Sequence, residues 1–210
     1  MKIKSKPITW KYIRDKADKI RDKYIHQSLE LPVNIERIIT DYGIDLDFID
    51  NLKKDLDVEG YISKNLKTIF LDKDSYMSEK YYSRLRFTMA HEFGHAILHE
   101  NLFKKDVFHS KNEWIKIVQS VSNEDLDWIE RQASEFAGRI LVPHLRLIEF
   151  IEDFTMRIDA IYKDEGDDDS AMEIAIMEFC RKYSSKFQVS NDVLEIRIRK
   201  ENFEKHFRKD

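Results

Sequence analysis

The residues best placed to do chemistry in this chain are two histidines four positions apart, with a glutamate directly after the first: His91-Glu92-Phe93-Gly94-His95. On a helix, positions i and i+4 lie about 40° apart on one face. Both imidazoles can then bind one metal ion, and Glu92 can reach a water on that ion. HExxH at this spacing is the arrangement of zinc-dependent peptide hydrolysis, with the histidines as ligands and the glutamate as general base. The chain has 7 histidines in 210 residues. At that frequency the pattern arises by chance in about one such chain in fifty, so the flanking sequence has to decide.

The flanks read as a helix. Ser78 to Ala90 contains no Gly or Pro, and Leu85, Met89, Phe93 and Ala96 or Ile97 recur at helical spacing. His91, His95 and His99 form the adjoining stripe. Gly94 costs about 1 kcal/mol relative to Ala inside a helix, which points to close approach of another backbone there.

A tetrahedral catalytic zinc takes three protein ligands and keeps one position open. The third is expected from a separate downstream helix, in Ile129-Glu130-Arg131-Gln132-Ala133-Ser134-Glu135-Phe136-Ala137-Gly138. Glu130 shares a face with Ala133, Ser134, Ala137 and Leu141, and those small residues allow approach to Gly94. Glu135 lies about 140° round the helix from Glu130 and is expected to face solvent. The pattern favours Glu130 over Glu135.

The elements that must position these groups follow from periodicity. Trp10, Ile13, Ala17, Ile20 and Tyr24 predict a first helix, and Ile35, Ile38, Ile39 and Tyr42 a second, with Gly43 as its C-terminal cap. Ile44, Leu46 and Phe48 alternate with Asp45 and Asp47, as in a half-buried strand. Two more strands are expected at Val58–Ser63 and Lys67–Leu71, giving a small, mainly antiparallel sheet. As an edge, Lys67–Leu71 would pair with an extended substrate. Residues 100–123 are polar and irregular and are expected to form an excursion over the site, with His109 on its surface. Helices follow from about Asn123 to Leu141, from His144 to Tyr162, from Ala171 to Phe187 and from Ser190 to Lys200. The run 164–170, Asp-Glu-Gly-Asp-Asp-Asp-Ser, reads as an exposed acidic linker. The expected organisation is a zincin-like α+β domain over residues 1–163, that linker, and a helical C-terminal segment over residues 171–210.

Bulk properties bound the function. A net charge of −4 and a pI of about 6.0 argue against a general nucleic-acid binder. Cys180 stands alone, so there is no internal disulfide framework, and a reducing cytoplasm is the expected setting. The first residues lack the apolar run of a signal peptide, and no stretch approaches 18 apolar residues.

The segment Arg84-Leu85-Arg86-Phe87-Thr88-Met89-Ala90-His91-Glu92-Phe93-Gly94-His95, with Leu98-His99 after it, resembles the ImmA/IrrE metallopeptidase family. Glu130-Arg131-Gln132-Ala133-Ser134-Glu135-Phe136-Ala137, ending in Leu141-Val142-Pro143, is similar to the family's second motif, with Ser134 where that motif usually has Asn. The resemblance covers about residues 31–143. It is weaker over Lys182-Tyr183-Ser184-Ser185-Lys186-Phe187-Gln188-Val189-Ser190, which looks like the small helical segment that often follows in the family. It implies a cytoplasmic zinc endopeptidase with His91, His95 and Glu130 as ligands and Glu92 as catalytic base. It also implies a helix-turn-helix repressor as protein substrate, in a bacterial, phage, mobile-element or stress-response switch.

His99 is either a buttress of the site or a helix-end residue, and His144, Tyr81 and Tyr82 are available as oxyanion donors. The competing reading is a non-catalytic regulator that uses the zincin fold to bind a protein or DNA partner. Its basis is the locally basic tail of Arg197, Arg199, Lys200, Lys205, Arg208 and Lys209; the interspersed Glu195, Glu201 and Glu204 weaken it.

Overall fold

The computed structural model describes residues 8–24, 30–100, 123–165 and 168–208. The expected excursion at 100–123, His109 included, and the first seven residues lie essentially outside that set. The chain opens with α1 (Trp10–Tyr24) and α2 (Ile35–Tyr42). Asn34 caps α2 by accepting from the Arg37 N–H at 3.0 Å, which satisfies one of the unpaired donors of the first turn. Gly43 ends the helix at φ +96°, a conformation that costs glycine nothing and other residues a clash at Cβ.

Three strands follow: β1 (Asp45–Ile49), β2 (Gly60–Ile62) and β3 (Thr68–Asp72), with the short α3 (Leu52–Leu56) between the first two. The spatial order is β1-β3-β2. The α+β class holds, but the sheet is mixed rather than mainly antiparallel. β1 runs parallel to β3 from Asp45↔Thr68 to Ile49↔Asp72, and β2 runs antiparallel to β3 from Gly60↔Leu71 to Ile62↔Ile69. The cause lies in α3, a turn of helix absent from the sequence reading. It carries the chain past the place beside β1, so the β2–β3 hairpin returns β3 into the middle. Buried Asp72 fixes that corner, with one carboxylate oxygen accepting from the Lys53 N–H of α3 and the other from the Ser75 N–H, each at 2.8 Å. The strand at 67–71 is thus central, and β1 and β2 are the two edges.

After α4 (Lys73–Tyr76), the long α5 (Glu79–Leu98) crosses α6 (Asn123–Leu141). At the crossing, a Cβ on Gly94 would stand 3.1 Å from the Ala133 carbonyl oxygen and 3.2 Å from its Cα. The glycine and the alanine let two backbones meet, and Phe93 packs edge-on against Phe136 beside them, both fully buried. Then come α7 (His144–Glu165), α8 (Asp168–Phe187), α9 (Asn191–Lys200) and a 3-10 turn, Phe203–Phe207. Of the expected linker, residues 164–165 end α7 and 168–170 open α8. Ser190 caps α9 by accepting from Val193 N–H at 3.2 Å. A single apolar cluster runs from Ile13 through Phe93 and Phe136 to Phe179, Ile198 and Phe207, so the C-terminal helices share the core of the metal-motif helices.

Candidate metal centre

α5 presents His91 and His95 one turn apart, and α6 brings Glu130 opposite them. Glu130 Oε2 lies 2.9 Å from His91 Nε2, Glu130 Oε1 lies 3.4 Å from His95 Nε2, and the two Nε2 atoms are 3.0 Å apart. One candidate ligand atom from each residue falls within 4.8 Å of the others, the only such cluster among the described residues. Glu130 is the carboxylate that reaches the histidines.

Glu135 does not face solvent. Its side chain is fully buried, and its Oε1 accepts from Arg14 Nε of α1 and Arg197 Nη1 of α9, both at 2.7 Å. Lys200 Nζ stands 2.9 Å from Oε2. Burial pushes this carboxyl up, but the three cations outweigh it and hold it at about 2. Arg197 is itself buried, lies across Gly138 and is shared with Glu201, which Arg139 also contacts at 2.6 Å. Position on one helix gives only an angle; the partners that bury Glu135 come from 121 and 62 residues away.

Glu92 sits between the ligands and the sheet. Its Oε2 accepts from the Ile62 N–H of β2 at 2.9 Å. The Ser63 and Asp72 amides bond across the β2–β3 pair, to Thr68 O and Glu59 O. By alternation, Gly60 and Ile62 turn their amides and carbonyls to the free edge. Glu92 therefore occupies an edge donor beside the metal ligands. Burial pushes its carboxyl above the usual range, against the opposing pull of His95 and His91. The Glu130 carboxyl is held well below its usual range, since the two histidine rings beside it outweigh its burial.

The remaining side chain atoms of the histidines are also engaged. His91 Nδ1 is 3.3 Å from Ser134 Oγ. His95 Nδ1 is 3.0 Å from His99 Nδ1, and His99 Nε2 is 2.9 Å from Gln132 Oε1. His99 is buried, which lowers its pKa to about 4, so this ring is neutral near pH 7. Gln132 is a contact that the sequence reading missed: it sits two residues beyond Glu130, off the Glu130 face, and nothing in its type marks it. Two of the three proposed oxyanion donors are occupied elsewhere. Tyr82 donates to Glu36 at 2.7 Å, with burial pushing the phenol up to about 12, and His144 pairs with Glu201 at 3.2 Å.

The donor set fits a metal ion. Two imidazole nitrogens and a carboxylate converge with no donor hydrogen of their own required among them, which is a site for a cation, and N2O is a set that zinc accepts. A tetrahedral zinc with bonds of about 2.1 Å separates its nitrogen ligands by roughly 3.4 Å, close to the spacing found here.

The Peptidase_M78 family model, described as the IrrE N-terminal-like domain, matches residues 39–199. The chain belongs to this family. The M78 match spans both metal motifs and reaches through nearly all of α9, so it includes Arg197 as well as the ligands. As an M78 protein the chain carries a metallopeptidase-like domain with a metal-binding group at His91, His95 and Glu130. No curated protein sequence matches it. Among solved structures, a Mycobacterium tuberculosis transcriptional regulator is similar at 14% identity with a TM-score of 0.34; the match covers 90% of this chain and half of that one. No helix among the described residues is long and apolar enough to cross a membrane.

Proposed function

We propose that this protein is a zinc-dependent endopeptidase of the cytoplasm whose substrate is a helix-turn-helix repressor, so that cleavage switches genes on. One observation carries the reading: three metal-ligand side chains converge, and a glutamate beside them is held by the amide of a free sheet edge. A zinc bound by His91, His95 and Glu130 supplies Lewis acidity for a peptide carbonyl. Glu92 takes the proton of the attacking water and returns it to the leaving amine; its raised pKa suits a group that must both accept and release a proton. The β2 edge holds the substrate as an added extended strand at Gly60, next to the Ile62 amide that Glu92 occupies, which sets the scissile bond against Glu92.

The alternative is a non-catalytic regulator that binds a partner, DNA included, through this fold. The basic tail gives it little support. Arg197 and Lys200 are spent on Glu135, and Arg199 pairs with Glu173 and Glu195 at 2.6 and 3.0 Å. Three of the six tail cations are thus committed to carboxylates rather than left to neutralise phosphates.

The test is incubation of the zinc-loaded protein with purified helix-turn-helix repressors encoded near it. Wild type is expected to cut one of them, while Glu92→Gln retains about one zinc per chain and cuts none. Intact repressors throughout, with zinc bound and Glu92 present, overturn the peptidase reading and leave the binding one.

A further inference from the structure

Each metal-site histidine offers Nε2 toward the cation position, and can do so only if its proton sits on Nδ1. A neutral imidazole carries one N–H, and whichever group the other nitrogen meets decides where that proton goes. For His95 that group is His99, and for His99 it is Gln132. The three side chains form a row: Gln132 Oε1 to His99 Nε2 at 2.9 Å, then His99 Nδ1 to His95 Nδ1 at 3.0 Å. Gln132 and His99 are buried, at 0% and 3% exposure, so water does not substitute for either contact.

The row has a direction. A carbonyl oxygen only accepts, so His99 must donate from Nε2. Its Nδ1 is then a bare lone pair and can only accept, so His95 must donate from Nδ1. That leaves the His95 Nε2 lone pair free, 3.0 Å from His91 Nε2 and 3.4 Å from Glu130 Oε1. Were the amide turned round, its NH2 would reverse every step and put a hydrogen on His95 Nε2, where the cation belongs. The amide nitrogen of Gln132 has no partner among the described residues. With its oxygen turned to His99, as it stands here, the amide sets both rings of the row.

We infer that Gln132 and His99 are positioning residues of the metal site: acting in series, they hold His95 in the tautomer that can ligate. The inference rests on the metal reading of His91, His95 and Glu130. It makes α6 the source of three supports: Glu130 as ligand, Gln132 acting on His95 through His99, and Ser134, whose Oγ lies 3.3 Å from His91 Nδ1 and can accept from it. Outer partners of ligating histidines commonly change metal affinity by roughly 10- to 100-fold when removed.

Two variants separate this role from simple packing. Gln132→Met keeps length and volume but offers no oxygen, whereas Gln132→Glu keeps an acceptor toward His99. Zinc affinity is read by chelator competition on the full chain, and the tautomers of histidine by nitrogen-15 spectra of the metal-free protein. The expected result is the Nε2–H form of His99 in wild type, loss of that preference in Gln132→Met with zinc bound roughly 10- to 100-fold more weakly, and affinity within a few-fold of wild type in Gln132→Glu. An Nδ1–H form of His99 in wild type overturns the inference. So does undiminished zinc binding by Gln132→Met, or an equal loss in both variants. If wild type itself binds no zinc, the metal reading fails and the inference with it; the His99 tautomer then shows whether the row exists without that purpose.

Discussion

Replacing Glu135 by glutamine tests the charge cluster beneath the metal centre. The substitution keeps shape and an acceptor oxygen but removes the charge that Arg14, Arg197 and Lys200 surround. The carboxyl is held at about 2, against an ordinary 4.5. At about 1.36 kcal/mol for each pKa unit, that gap is worth roughly 3 kcal/mol, with no discount for solvent because the side chain is fully buried. A second route agrees: removing one partner from a buried pair typically costs about 3–5 kcal/mol, since the other charge stays behind. In a chain of this size, 3 kcal/mol corresponds to a fall in Tm of roughly 6–12 °C. The pH dependence has a definite sign. A depressed carboxyl stabilises the fold fully above its unfolded pKa near 4.5, and loses that contribution as pH falls toward 2. Urea unfolding of wild type and Glu135→Gln is therefore expected to differ by about 3 kcal/mol at pH 7 and to converge as the pH approaches 2. Zinc stoichiometry stays the same in both, because Glu135 is no ligand. A difference under about 1 kcal/mol at pH 7 would refute the reasoning, as would one that persists at the acid end.

Two further outcomes follow from the crossing of α5 and α6. Gly94→Val forces its side chain against the Ala133 backbone, already 3.1 Å from an added Cβ, so it is expected to cost about 2 kcal/mol or more and to weaken zinc binding by moving Glu130; unchanged chelator competition would contradict this. Zinc at 100 times its Kd is expected to stabilise wild type by about 2.7 kcal/mol and His91→Ala by nothing comparable, as read from thermal melts with and without chelator.

How far the site could be read in advance varies from residue to residue. His91 and His95 stand one turn apart on one helix, so spacing alone fixes their common face, with Glu92 about 100° round from His91. Glu130 is legible because it heads a stripe of small residues that matches Gly94 on the opposing helix. Glu135 is misread for the converse reason: helical phase shows which way a residue points from one neighbour but not what arrives there from α1 and α9. Gln132 carries no mark of its contact, since the histidine it meets lies beyond one full turn from the ligands. The strands are placed within a few residues, whereas their order is not, because periodicity gives a strand its faces and not its neighbours. α3 is too short to show a period, and it is the element that sends β2 to the edge.

The pairing of Glu135 with Arg197 also bears on how the protein is made. During synthesis α6 emerges well before α9, and the partners are 62 residues apart. Until Arg197 arrives, closing α6 against its neighbours would bury a carboxylate without its main counter-charge, which is strongly unfavourable. Contacts this distant in sequence must first close a long loop, which makes them slow to form. The helix that carries Glu130 is thus settled only once α9 has docked, and a nascent chain that already contains every metal ligand has yet to acquire a lasting metal site.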